Sequence, residues 1–247
     1  MPNWCENKLT VSGLPEEIKR VRPYLLRENP QTETIILDFN CFIPMPEALQ
    51  IPCGSLGEKT QALLVQAHNA AFDDEVIEKF VFPYKVDEVQ ALFLSLKARE
   101  MGWTIGGFIQ WLKEDSTRQD ELGFDLPLGR LYVENQIKYG SANWYDWAYS
   151  HWGCKWNANT QYITEEKDYI ICDFDTLWGP PEIWFDSLCE TYPCLLLRLD
   201  YYEPGCNIAG SIENTDGHSS HKQFNDEEMR EFALKVFGYC FDDVETE

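Results

Sequence analysis

Long apolar runs are missing from this 247-residue chain. None approaches the roughly 20 residues that a membrane helix needs, so no span is expected. The opening MPNWCENKLTV has neither a basic n-region nor an apolar h-region; it reads as the start of the fold and not as a signal peptide. Cysteine pairs at CxxC spacing are also missing. The nine cysteines (Cys5, Cys41, Cys53, Cys154, Cys172, Cys189, Cys194, Cys206 and Cys240) are odd in number and scattered. That pattern argues against an extracellular disulfide framework and for reduced thiols in the cytoplasm, several of them core fillers. Phosphate loops of the GxGxxG and GxxxxGK kinds do not occur, and no spacing carries the signature of a known catalytic site. No cofactor is expected. Repeats, low-complexity segments and flexible linkers are absent too, which leaves one large domain or a domain with a big insertion.

Basic residues are scarce. Twenty lysines and arginines face 42 aspartates and glutamates, a formal charge of −22. The excess grows along the chain, from 8 acids and 6 bases in residues 1–60 to 15 and 4 in residues 181–247. Phosphate contacts dominate nucleic-acid affinity, so general nucleic-acid binding is not expected. The charge serves solubility, attracts a basic partner, or imitates nucleic acid so as to block a DNA- or RNA-binding protein.

What is present is an alternation of strands and helices. Residues 7–13 alternate, with Leu9 and Val11 on one face. Pro15, Glu16 and Glu17 open a helix that carries Ile18, Val21, Leu25 and Leu26, and Asn29-Pro30 closes it. Residues 35–43 form a second extended segment. Residues 47–126 read as a helical insertion, with helices over 58–70, 76–81, 88–101 and 108–115. In the third of these Asp87 is the expected cap, and Val89, Leu92, Phe93 and Leu96 the expected buried face. Residues 116–129 read as a polar, Gly/Pro-containing connection. Beyond it come a strand over 168–175, a proline-started helix over 181–192, a strand over 195–202, a turn at Glu203–Cys206, and a strand over 207–213. Asn225 caps a last helix, 226–237, and the tail 242–247 reads as frayed. Together these predict one α+β domain over 1–247: a mostly antiparallel sheet with helices packed on one face, plus the insertion and a C-terminal helix.

The densest stretch is Asn143–Pro181, which holds Trp144, Trp147, Trp152, Trp156 and Trp178. Tyr145, Tyr149, Trp152 and Trp156 recur at helical spacing. Such a stripe is ordinary core packing, or, if exposed, a platform for bases or a protein partner, with Lys155 supplying positive charge.

Several motifs together resemble a known family. They are PNWCENKLTVSG at Pro2–Gly13, the proline-rich Ile43–Pro46, WGCKW at Trp152–Trp156, TLWGPP at Thr176–Pro181 and the turn at Tyr202–Gly205. Together they resemble the YubB-like, Api-type accessory proteins of phages and plasmids. The resemblance implies a ferredoxin-like fold, which is a shape and not an iron–sulfur cluster, and a mobile-element origin. It brings no catalytic residues. Cys154 stands where the resemblance has a threonine.

The expected function is therefore protein binding by a non-enzymatic accessory protein, through an acidic and aromatic surface. Trp152, Lys155, Trp156 and Trp178 are the candidate binding residues, and the partner is expected to be basic or nucleic-acid-binding. An anti-defence role or DNA mimicry is a sharper form of this. The alternative is a metal-dependent or nucleotide-processing enzyme. It would use Asp173, Asp175 and Asp200 on strands, with Asp216, His218 and His221 as a candidate metal set in a Ser/Gly-rich loop. Single-stranded nucleic-acid binding over exposed tryptophans is a third reading. His151 and Cys154, three apart, are a weak base and nucleophile pair with no orienting group in view.

Overall fold

Strand β1 (Trp4–Ser12) is the strand on which the main sheet is centred. The computed structural model describes residues 3–81 and 88–239; Asp87, the expected cap, and the 242–247 tail lie outside them. After β1 come helix α1 (Pro15–Leu25) and a short ribbon, β2 (Leu26–Glu28) with β3 (Ile35–Leu37). Helices α2 (Ser55–Leu64), α3 (Asp74–Phe80), α4 (Glu88–Met101), α5 (Ile105–Lys113), α6 (Ser116–Leu122), α7 (Leu126–Tyr139) and α8 (Trp144–His151) follow. Then come β4 (Asn159–Glu165), β5 (Tyr169–Leu177), α9 (Glu182–Thr191), β6 (Leu196–Glu203), β7 (Ile208–Thr215), β8 (His218–Gln223) and α10 (Asp226–Phe237).

The main sheet is antiparallel throughout, in the order β4-β5-β1-β6-β7-β8. Its first four positions are two interleaved strand–helix–strand units, β1–α1–β4 and β5–α9–β6, with β7 and β8 added at one edge. This is the ferredoxin-like α+β arrangement. Alternation on β1 sends Cys5, Asn7, Leu9 and Val11 into the core, and on β5 does the same for Ile170, Cys172, Phe174 and Thr176. The buried stripes of α1 (Ile18, Val21, Leu25) and α9 (Trp184, Phe185, Leu188, Cys189) close that layer. The opposite side of β6 and β7 is covered by α10, whose Met229, Phe232 and Ala233 pack with Tyr202 and Ala209.

The expected second extended segment, 35–43, stops being a strand at Leu37. Asp38 ends it: its carboxylate accepts the backbone N–H and side chain of Asn40 (2.9 and 3.0 Å), starting a 3-10 turn over Phe39–Cys41. The same carboxylate takes Asn157 Nδ2 at 2.6 Å and an ion pair from Arg27. Burial alone would raise its pKa; the Arg27, Asn157 and Asn40 donors outweigh that and hold it below the usual carboxylate value. Asp38→Ala is expected to cost about 3 kcal/mol at pH 7, because it leaves three sets of donors without their acceptor. The depressed pKa means this contribution is full above the ordinary carboxylate range and is lost as pH falls through the folded value. Urea unfolding at pH 7 and pH 3 should show the gap between wild type and variant closing at the lower pH.

The chain divides into two compact units, residues 1–45 with 148–247, and residues 46–147. The helical stretch therefore runs about twenty residues past the expected end at 126. The expected connection over 116–129 is instead α6 and the start of α7. Asp115 and Asp125 are genuine N-caps, accepting Thr117 N–H and Leu128 N–H, while Gly123 and Gly140 close the two helices in the left-handed conformation. The core of this unit is built by Leu63, Phe72, Phe80, Phe108, Leu112 and Phe124.

Helix α4 turns the other way from its expected burial. Val89, Leu92, Phe93 and Leu96 are 57–75% exposed, and Leu94 and Ala98 are buried. Apolar residues lie almost all round this helix, so their spacing does not choose a face. Packing against α3 does: Leu94 and Ala98 join Ile77 and Phe80 in the core, and exposed Asp74 of α3 binds Ser95 and Arg99 at the surface.

Candidate functional site

The tryptophans separate into two groups. Helix α8 ends at His151, so Trp152 and Trp156 do not continue its face. Trp152 is 3% exposed; its indole N–H donates to the Ile43 carbonyl at 3.0 Å and its ring meets Phe39 edge-on at 5.7 Å. It belongs to the core and leaves the binding set. Trp147 is buried as well. Trp156 and Trp178 are 45% and 47% exposed, and the Lys155 ammonium lies 5.1 Å from the Trp156 ring centroid.

Trp178 is held in an unusual way. Its φ is +70°, a left-handed conformation that L-residues with large side chains rarely adopt. A relay fixes the turn: buried Asn7 Nδ2 donates to Thr176 Oγ1 at 2.7 Å, and that hydroxyl donates to the Gly179 carbonyl at 2.7 Å. The Trp178 N–H itself donates to the Asn3 carbonyl at 3.0 Å. The two motifs at the start of β1 and the end of β5 are thus one structure, whose product is an indole presented to solvent.

Register places a third exposed tryptophan nearby. Trp4, 41% exposed, stands opposite Leu177, one residue before Trp178. Asn159 at the start of β4 stands opposite Asp175, so Trp156 precedes the same end of the sheet. Sequence reading missed Trp4, because only the β1–β5 register brings it there.

On the sheet face that carries Trp4, the next residues inward are Glu6 and Asp175, paired in register. Beyond them Lys8 lies 3.5 Å from Asp173 and donates to the Val236 carbonyl at 3.3 Å. Glu6, Lys8, Gln161, Asp173, Asp175 and Phe237 line a polar groove of about 430 Å³. Burial pushes the Asp175 carboxyl up, against the Gln161 (2.7 Å) and Asn159 (3.5 Å) amides that favour its charged form. Tyr239 donates to Glu6, and burial followed by that carboxylate raises the phenol.

The enzyme constellation does not assemble. Asp173 and Asp200 share a face, but Lys8 stands between them in register, and Asp200 is already held by Arg198 and Ser211. The supposed histidine loop is strand β8, launched by a tight turn in which Asp216 and Gly217 both have positive φ. On a strand, residues three apart point to opposite faces, so His218 and His221 diverge. His221 faces α9, with Nε2 3.6 Å from Asp186, and three strands lie between β8 and β5. Among the described residues no three His, Cys, Asp or Glu side chains are grouped to hold a metal ion. Cys154 is buried, and burial pushes its thiol up to about 12, the opposite of nucleophile activation.

Many acids have local work. Glu16 and Glu17, Asp74 and Glu75, and Asp226, Glu227 and Glu228 sit in first turns of helices, where they complement the dipole. Among the described residues no helix is long and apolar enough to cross a membrane.

Residues 151–242, which hold β4 to α10, match the family model described as the ferredoxin-like domain in Api92-like protein. Among solved structures the chain is similar to the protein api92 from Yersinia pseudotuberculosis, at 16% identity over 91% of this chain and 99% of that one, with a TM-score of 0.41. No curated protein matches the chain.

Proposed function

We propose, taking as premise the Api-type family that the domain match supports, that this is a non-enzymatic accessory protein of a phage, plasmid or integrated element. It acts by holding a basic or nucleic-acid-binding protein of the host or a competitor against an acidic and aromatic surface. The observation that carries this is the gathering of Trp4, Trp156 and Trp178 at one end of the sheet, beside Glu6 and Asp175, on a chain of net charge −22. Exposed indoles supply contact area that is released from water on binding, and surrounding carboxylates steer a cationic partner. An anti-defence role is one form of the same reading. Charge mimicry of DNA is a weaker form, since helix starts in both units account for many of the carboxylates.

Affinity purification from bacterial lysate tests it, with the Trp156→Ala/Trp178→Ala double variant as comparison. A basic protein should co-purify with the wild type. It should be lost from the variant, since each central indole of such a surface carries about 2 kcal/mol or more. The variant's thermal unfolding should match the wild type, because both rings are half exposed. An empty pull-down across several hosts, or capture indifferent to the two indoles, would sink the proposal. Retardation of single-stranded DNA at low salt would favour the nucleic-acid reading instead.

A further inference from the structure

The ribbon and the main sheet are separate hydrogen-bonded sheets, yet β3 runs beside β4. A single side chain joins them. Thr160 Oγ1 accepts the Leu37 N–H at 3.0 Å and lies 3.4 Å from the Leu37 carbonyl. Beyond that point nothing closes the seam among the described residues.

Backbone alternation shows which groups face it. Asn29 N–H donates to Thr34 O and Asp38 N–H to Leu25 O, so Thr34, Ile36 and Asp38 direct their amides at β2. Ile35 and Leu37 therefore direct theirs away from β2, towards β4. On β4 the Glu166 N–H donates to Tyr169 O, so Thr164 and Tyr162 are in the ladder with β5, opposite Ile171 and Asp173. Ile163 and Glu165 direct their N–H and C=O outward. Leu37 is satisfied by Thr160; the outward groups of Ile35, Ile163 and Glu165 have no protein partner among the described residues. Between these two edges is a groove of about 420 Å³, lined by Thr34, Ile35 and Ile36 on one side and Tyr162, Ile163 and Glu165 on the other.

The edge of β4 carries neither lysine nor proline, and its bulge and Glu165 are its protection. A free edge is normally blunted by lysine, proline or a covering element. Here the sequence is Asn-Thr-Gln-Tyr-Ile-Thr-Glu, rich in strand formers, with a bulge between Thr160 and Tyr162 and Tyr162 64% exposed. The charge next to the groove is mostly negative, with Lys167 the one base there that has no ion pair among the described residues. Arg22 and Arg27 are taken by Glu165 and Asp38. Glu28, Glu33 and Glu166, adjoining the lining residues, are exposed and have no ion pair among the described residues.

We infer that the facing edges of β3 and β4 are a receptor for one extended, basic segment of a partner protein, which adds as a strand between them. Its backbone pairs with Ile163 and Glu165 on one side and with Ile35 on the other, and alternate apolar side chains lie over Ile36 and Tyr162. The inference rests on the reading that the chain binds a protein, and says how one part of that partner is held.

The probe is the capped synthetic peptide Lys-Val-Lys-Val-Thr-Val-Lys, added to the purified full chain, with amide hydrogen exchange followed residue by residue. Exchange at Ile35, Ile163 and Glu165 should slow at least tenfold at saturation, while Tyr162 and Thr164, already in the ladder, stay unchanged. Ile163→Pro removes an outward N–H and no ladder bond, so the variant should fold and lose the peptide. Thr164→Pro breaks the ladder and should be destabilised. No slowing in the wild type at millimolar peptide overturns the inference, whatever the variants do. So does slowing without the alternation, equal protection by a peptide with glutamate in place of lysine, or the same protection from protein concentration alone, which would make the occupant a second copy. These readings involve no lysate. Failure here with successful tryptophan-dependent capture removes only the groove, and a working groove with empty pull-downs removes only the proposed function.

Discussion

Replacing Gly57 with valine should cost about 3 kcal/mol or more and unfold the helical unit at denaturant concentrations that leave the wild type intact. Helices α2 and α7 approach through two reciprocal contacts. A Cβ on Gly57 would lie 2.4 Å from the Tyr132 ring, and one on Gly129 would lie 2.4 Å from the Thr60 side chain and 3.1 Å from its backbone. Neither neighbour can yield. The Tyr132 hydroxyl donates to the Pro52 carbonyl at 2.8 Å and accepts the Gly54 N–H at 3.2 Å, and the Thr60 hydroxyl donates to Leu56 O at 2.7 Å. Moving the tyrosine ring aside would break both of its bonds and open the loop before α2. The helix propensity gained by replacing a glycine with valine, about 0.5 kcal/mol, does not offset this. Gly179→Ala is the control, because its Cβ would meet nothing within 4 Å, and it should leave unfolding unchanged. Urea unfolding of the three proteins decides the matter; a Gly57→Val chain as stable as wild type would refute the close-packing account.

The second large effect is at Trp184. Its side chain is fully buried, with Phe39 at 4.8 Å and Phe42 at 6.2 Å between ring centroids, and Phe39 also meets Phe174 of the sheet at 5.9 Å. Trp184→Ala should cost about 3–5 kcal/mol, the range for emptying an aromatic site in a core. Trp184→Phe should cost much less than half of that. The indole N–H is buried with no acceptor among the described residues, so the tryptophan carries an unmet donor, and phenylalanine removes it while keeping most of the ring contact. If the two variants were equally damaging, the indole nitrogen would be contributing something that the geometry does not contain.

The parts of the fold that were legible in the chain are those in which local and global preferences agree. Strands β1 and β5 alternate cleanly, α1 begins at a proline, and α10 is framed by the Asn225 cap and Gly238. What was missed lacks apolar signal: β4 and β8 are edge strands with polar sequences, and their pairing comes from neighbours far along the chain. Asp216-Gly217 is a hairpin turn in plain sight, but two histidines beside it invited a metal reading. The stripe Tyr145, Tyr149, Trp152, Trp156 has helical spacing, but α8 carries only its first two members, because the helix ends at His151 and Gly153 at φ +83° turns the chain. Of the expected binding residues, Trp156, Trp178 and Lys155 lie at or near the surface and Trp152 does not. Trp4 and the polar groove depend on register, which no single strand encodes.

The centrality of β1 also sets a timetable. It is synthesised before either of its partners, and both of its ladders close with strands more than 150 residues further on: Ser12 meets Tyr169 and Glu6 meets Tyr202. At a synthesis rate of about 5–20 residues per second, its first partner emerges roughly 10–30 s later. Through that interval Leu9 and Val11 have only α1 to lie against, and both edges of the strand are open. The helical unit waits less than half as long, since Thr60 of α2 meets Gly129 of α7. A nascent chain of this protein is therefore at its most vulnerable to wrong pairing at β1, and a chaperone or ribosome-bound factor would act most usefully on Trp4–Ser12.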